Sequence, residues 1–317
     1  MPVTNSDSIP NLDQGPYTSV QALARLRWQA KNLKLRKAKA ISRPQSGSHL
    51  SKFRGRGMEF AEVRVYQPGD DVRSIDWRVT ARRQTPHTKL FNEERERPLL
   101  VICDQSKSQF FGSKHSFKSV RAAEAAALFA WSALDHNDRV GGIVFSDIAH
   151  HEVKPARSRK SVMQYINFLS QFNQALNIED SKIPPSFSLD KALIEAVRLA
   201  KPGTLIVIIS DFLHFNQETE KALKALSRHN ELLFIRSYDP LEEELPPPGL
   251  HPVSDGQQTL LINSNSAQVR SDYSAWATQH KNQLEEMSKR FKSLLINLST
   301  HQETSHCLQE ILRNYSR

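Results

Sequence analysis

The sequence predicts an α/β fold: a mainly parallel sheet with helices on both faces, preceded by a smaller β-containing appendage and a basic helix. Three observations carry this. From residue 99 onward, short continuous apolar runs such as "LLVICD" and "GTLIVIISD" recur, the texture of strands buried on both faces. Amphipathic stretches of helical period separate them, as a strand–helix–strand layer fold requires. Ahead of residue 99 apolar and polar residues alternate singly instead, the period of half-exposed strands.

Taken in order, residues 1–18 ("MPVTNSDSIPNLDQGP" and the two that follow) read as a flexible tail, without the basic-then-apolar pattern of a secretory signal. Residues 19–98 form a second segment. Its start, "SVQALARLRWQAKNLKLRKAKA", places Leu23, Leu26, Ala30 and Leu33 on one helical face. No Asp or Glu occurs between Gln14 and Met58, whereas eleven Lys and Arg do, more than the formal net charge of +9 of the whole 317-residue chain. The basic character is therefore local and suits an acidic partner: nucleic acid, an anionic membrane surface or an acidic protein face. After a Pro/Gly/Ser-rich connection, "EFAEVRVY" and "HTKLFNEERERP" read as strands flanking a "QPGDD" turn.

Residues 99–317 make the third segment. "LLVICD", "RVGGIVFSD", "GTLIVIISD" and "ELLFIRSYDP" are strands, with "IAHHEVKP" a hairpin partner of the second and "QQTLLINS" and "SLLINLST" outer strands. The intervening helices include "SVRAAEAAALFAWSALDH", "RKSVMQYINFLSQFNQ", "SLDKALIEAVRLA" and "AQVRSDYSAWATQHKNQLEEMSKR".

Open parallel sheets build their sites at the carboxyl ends of strands. Two apolar strands here end in Asp104 and Asp211, and the first continues as Asp104-x-Ser106-x-Ser108. A carboxylate and two hydroxyls at alternate positions can converge on one hard cation, and magnesium suits such oxygen donors. The competing reading makes each Asp a cap for the next turn. A second constellation, Arg64, Asp70, Asp71, Arg73, Asp76, Trp77 and Arg82, reads as an ion-pair network for domain docking or partner binding, anchored by a buried Trp77.

These motifs together resemble a known family. Asp-x-Ser-x-Ser followed by "SD" after a central strand is similar to the metal-ion-dependent adhesion site of von Willebrand factor A-type domains. "GRGMEFAEVRVYQPGDDVRSIDWRVTAR", with "RVGGIVFSD" and "YDPLEEELPPPGL", resembles the bacterial family catalogued as domain of unknown function 58, over roughly residues 40–280. The resemblance implies a von Willebrand factor A-like fold, no firm enzymatic activity, and partnership with a MoxR-type AAA+ ATPase or its client. It also implies a magnesium site at Asp104, Ser106, Ser108 and Asp211. The Thr usual in such sites falls on Phe187, with Ser186 and Ser188 as neighbouring substitutes.

Other classes are disfavoured. No stretch reaches the roughly 18 apolar residues of a membrane helix, and no phosphate-binding GxxxxGK[ST] loop or GxSxG elbow occurs. Cys103 and Cys307 are isolated, which suits a reducing cytoplasm. The enzymatic alternative is a magnesium-dependent hydrolase or nuclease with an acidic cluster of Asp104, Asp211 and Asp147. A haloacid-dehalogenase-type phosphatase would need Asp where Ser106 stands. His150 and His151, beside a turn, are expected to face solvent.

Overall fold

The computed structural model describes residues 15–33, 58–68, 70, 72–93, 97–177, 186–254 and 259–315. Packing divides the chain into two units, residues 1–38 with 97–317 and residues 39–96. The segment 19–98, read as one from the sequence, is split between them. Its helix belongs to the α/β unit because its apolar stripe is buried there. Residues 34–57, which carry most of the basic run, lie outside the described residues.

The first helices among the described residues are two short ones, α1 (Val20–Arg25) and α2 (Arg27–Ala30), joined through Leu26. The Ser19 side chain caps α1 by accepting from the Ala22 N–H. In the smaller unit, β1 (Met58–Val65) precedes α3 (Trp77–Arg83) and pairs antiparallel with β2 (His87–Glu93). Asp76 starts α3 by accepting from the Arg78 and Val79 N–H groups at 3.0 and 3.2 Å. Its own N–H donates to the His87 carbonyl, folding the turn back onto β2.

The larger unit is built on β3 (Leu99–Asp104), β4 (Val140–Phe145), β5 (His150–Ala156), β6 (Leu205–Ser210) and β7 (Glu231–Tyr238). It continues with β8 (Leu250–Ser254), β9 (Thr259–Asn263) and β10 (Leu294–Ser299). Six of these form one sheet in the order β10-β7-β6-β3-β4-β5, parallel throughout except for β5 at one edge. "QQTLLINS" does not join this sheet. It forms β9, which pairs with β8 in a separate hairpin, because β10 already occupies the outer side of β7.

Helices α4 (Lys118–Asp135), α5 (Arg159–Gln174), α6 (Leu189–Leu199), α7 (Gln217–Ser227), α8 (Ala267–Arg290) and α9 (Thr304–Tyr315) cover the sheet. Alternation along β3 shows how both faces are filled. Leu99, Val101 and Cys103 join a core with α4, α5, α9 and the N-terminal helices, while Leu100 and Ile102 join one with α6, α7 and α8. Leu23, Ala30 and Leu33 are fully buried in the first core beside α4, and Leu26 packs at its margin. Trp131 Nε1 donates to the Leu23 carbonyl at 3.2 Å and Ser132 Oγ to the Leu33 carbonyl at 2.7 Å, tying the N-terminal segment to α4. Helix α4 is consequently covered on nearly all sides. Both cysteines are free thiols. No helix among the described residues is long and apolar enough to cross a membrane.

Gly142 in β4 lies directly against α5. A Cβ there would meet the Tyr165 ring of α5 at 2.2 Å, and Tyr165 is held by its hydroxyl donating to the Val101 carbonyl at 3.1 Å. Gly142→Ala is therefore expected to cost about 1–3 kcal/mol by overpacking. A urea titration reads this as a lower midpoint with an unchanged slope.

Candidate cation site

The switch in strand order falls at β3, with β4 on one side and β6 on the other, and this opens a crevice at the carboxyl edge of the sheet. A cleft of about 370 Å³ lies there, lined by Asp104, Ser106, Ser108, Asp147, Ser186, Phe187, Ser188 and Asp211, among others. The structure thus brings together every residue that the sequence placed at the metal site.

Each is positioned by its backbone. Asp104 ends β3, its Oδ1 accepting from the Ser106 N–H at 2.8 Å and its Oδ2 from Ser210 Oγ at 2.6 Å. The Ser106 and Ser108 hydroxyls are 3.1 Å apart. Asp211 follows β6, its Oδ1 accepting from the Leu213 N–H at 3.2 Å, and the Ser108 hydroxyl also bonds it. The turn after β3 is anchored from inside by Gln105, which donates to the Ser119 carbonyl and accepts from Asn173 of α5.

Burial, and next the charge of Asp211, push the Asp104 carboxyl up to about 7, against hydrogen bonds from Ser210 and Ser106 that favour its charge. Burial also opposes the charge of Asp211, but Lys118, Ser108 and Leu213 outweigh it and hold that carboxyl below its ordinary range. Lys118, in the first turn of α4, is fully buried, with Nζ 3.0 Å from Asp211 Oδ2 and 2.6 Å from Glu242 Oε1. The sequence reading missed Lys118, Glu242 and Gln105, and it held Ser210 only as the Ser of the "SD" strand end. One signal for Lys118 was present: a cation in a helix's first turn opposes the macrodipole and calls for a local reason.

The donor set fits a hard divalent cation. It is all oxygen, it pairs two carboxylates with two hydroxyls, and it leaves an open cleft in front of them. Asp104, Ser106 and Ser108 are the residues that would hold the ion, with Asp211 close behind. Phe187 contributes no oxygen. Its ring stacks on His150 at 4.3 Å and packs near Phe145 at 6.0 Å, so it closes the side of the cleft. Ser186 donates to the Ile148 carbonyl at 3.1 Å and Ser188 to Asp190, and both line the cleft beside Phe187.

The acidic cluster required by the hydrolase alternative does not form. Among the described residues, no group of three or more His, Cys, Asp or Glu side chains could share a metal ion. Asp147 instead accepts from the Lys107 N–H at 2.8 Å, and its carbonyl accepts from the N–H groups of Ser186 and Phe187. His151 is exposed and stacks on Phe168, whereas His150, expected in solvent, is half-buried against Phe187.

The second constellation includes an ion pair that shapes a turn. Arg64 pairs with Asp70 at 2.7 Å, and Asp70 also accepts from the Gln67 N–H, which closes the turn after β1. Asp76 serves as the α3 cap, while Arg73 and Arg82 are exposed. Asp71 lies outside the described residues. Trp77 is not a buried anchor. It starts α3 on the side facing water and is 68 % exposed.

The strand order, the Asp-x-Ser-x-Ser turn and the Ser-Asp strand end facing it define a von Willebrand factor A-like α/β domain. More narrowly, the chain belongs to the family described as "Protein of unknown function DUF58", whose family model matches residues 62–283. It is 31 % identical over 238 residues to the uncharacterized protein Rv1480 of Mycobacterium tuberculosis, covering 74 % of this chain and 72 % of the relative. An uncharacterized protein of Mycobacterium bovis matches to the same extent. Among solved structures, the conserved hypothetical protein BatB of Bacteroides thetaiotaomicron aligns with a TM-score of 0.41 at 16 % identity, over 69 % of this chain and 96 % of that one. A von Willebrand factor type A protein of Catenulispora acidiphila aligns with a TM-score of 0.35 at 11 % identity, over 73 % and 43 % of the two chains.

A third strand-end carboxylate shows what a purely structural one looks like. Asp239, after β7, accepts from Ser113 N–H and Oγ at 2.8 and 3.0 Å, Thr300 Oγ1 at 2.5 Å and the Leu241 N–H at 2.9 Å. Burial opposes its charge, but these bonds hold its carboxyl below the ordinary range. Its stabilising effect is therefore present above the unfolded-state value and lost as pH falls through the lowered one. Asp239→Asn should cost about 1–3 kcal/mol at neutral pH. Urea titrations at several pH values should show this difference shrinking below about pH 4.

Proposed function

We propose that the chain is a non-enzymatic adaptor that grips a partner protein through a divalent cation, with magnesium as the physiological ion. The observation that carries this is the convergence of Asp104, Ser106, Ser108 and Asp211 at an open cleft, where among the described residues no three acidic side chains are placed to share a metal ion. A cation held there would accept an oxygen from the partner's carboxylate, which makes binding both ion-dependent and selective for a projecting acidic residue. Phe187 leaves one fewer protein oxygen than such sites usually have, so the ion relies more on that incoming ligand.

The partner in this reading is a MoxR-type AAA+ ATPase or its client, met in the cytoplasm. It rests on the family resemblance, and the chain acts with it in assembling or activating another complex. The apolar stripe of the N-terminal helices is buried against the chain's own α4, so only their outer side, with Arg25, Trp28 and Lys31 exposed, is left for an acidic partner.

The test is a pull-down of a MoxR-type ATPase encoded in the same genome. Immobilised wild type in magnesium, wild type in EDTA and Asp104→Ala in magnesium are compared. Retention by the first, falling at least about tenfold in the other two, is expected, the scale of losing one charge-assisted ligand. Equal retention in all three would place the contact elsewhere and remove the cation from the function.

A further inference from the structure

Among the described residues, Lys118 is the largest charged side chain that the fold buries completely, and it is buried against the site. Its Nζ lies 3.0 Å from Asp211 Oδ2, while Asp211 Oδ1 is taken by the Leu213 N–H. Both oxygens of Asp211 therefore already face protein donors, one of them a full positive charge. A divalent ion bonded directly to that carboxylate would stand against the ammonium at short range in a poorly screened interior. Asp104 has no such neighbour. Its oxygens meet neutral donors, the Ser106 N–H and hydroxyl and the Ser210 hydroxyl.

We infer that Lys118 is a positioning residue: a tethered internal cation that bars Asp211 from direct ligation and leaves Asp104 as the one carboxylate bonded to the ion. This inference rests on the cation reading above. It makes the site deliberately weak in isolation, because a divalent ion there keeps uncompensated positive charge until an anionic group arrives. Glu242 sets the strength of the device. It draws the ammonium away from Asp211 from the other side, at 2.6 Å, and its second oxygen accepts from the Asp239 N–H, which fixes it to the turn after β7.

Two variants of the full-length chain shift manganese affinity in opposite directions if this holds, measured by calorimetric titration with manganese(II) alone. Lys118→Met makes the site more negative and tightens manganese binding about tenfold. Glu242→Gln leaves the ammonium wholly to Asp211 and weakens binding about two- to threefold. A merely structural role would move both the same way or neither. Unchanged affinity in both folded variants, or shifts of the same sign, overturns the inference while leaving the cation reading intact. If Lys118→Met does not fold, Glu242→Gln decides alone: weaker binding supports the inference, and unchanged or tighter binding overturns it. Binding by Lys118→Met with none by wild type supports it strongly. No saturable binding by wild type or either variant removes the cation reading and the inference together.

Discussion

The burial of two like charges, Asp104 and Asp211, at the carboxyl edge of β3 and β6 is the constraint to which the rest of the domain answers. Each ion withdrawn from water costs several kcal/mol unless partners replace its hydration, on the order estimated for real proteins after relaxation. The partners come from three places in the fold: Ser210 from β6, the Ser106 N–H and Ser108 hydroxyl from the β3 turn, and Lys118 from α4. The start of α4 is thus fixed by polar chemistry, while its length is fixed by apolar packing against the sheet and the N-terminal helices. Charge at one end and shape along the body hold the helix in a single register.

Two phenylalanines shape the surroundings of Asp104 and Asp211. Phe212, directly after Asp211, has φ of 56°, a left-handed backbone that costs a bulky residue about 1–3 kcal/mol. It is retained because its ring fills the core edge-on to Phe234 at 5.7 Å, and the strained peptide holds Asp211 where Lys118 and Leu213 can reach it. Phe187 stacks on His150 at the side of the cleft.

Much of this was legible in the sequence because the signals were local. Unbroken apolar runs bounded by turns located β3, β4, β6 and β7, and helical periodicity located α4 to α8. The alternate spacing after Asp104 survived into a real convergence. What failed depended on pairing at a distance. The apolar run in β9 carried no information about which edge was free, and β10 had taken it. Trp77 was read as buried because tryptophan usually is, yet it sits exposed at the start of a short helix. Lys118 was invisible for a related reason: its partners, Asp211 and Glu242, are 93 and 124 positions further along the chain.

The packing of α1 and α2 on α4 also bears on how the domain can be handled. The family match covers residues 62–283, which stops short of β10 and begins after Leu33. A fragment cut to those limits would strip the cover from Trp131, remove the strand that borders β7, and leave an apolar helix face and an open sheet edge in water. Such a piece is a candidate for aggregation rather than crystallisation. The boundaries at which these sequences resemble one another are narrower than the boundaries at which this one folds.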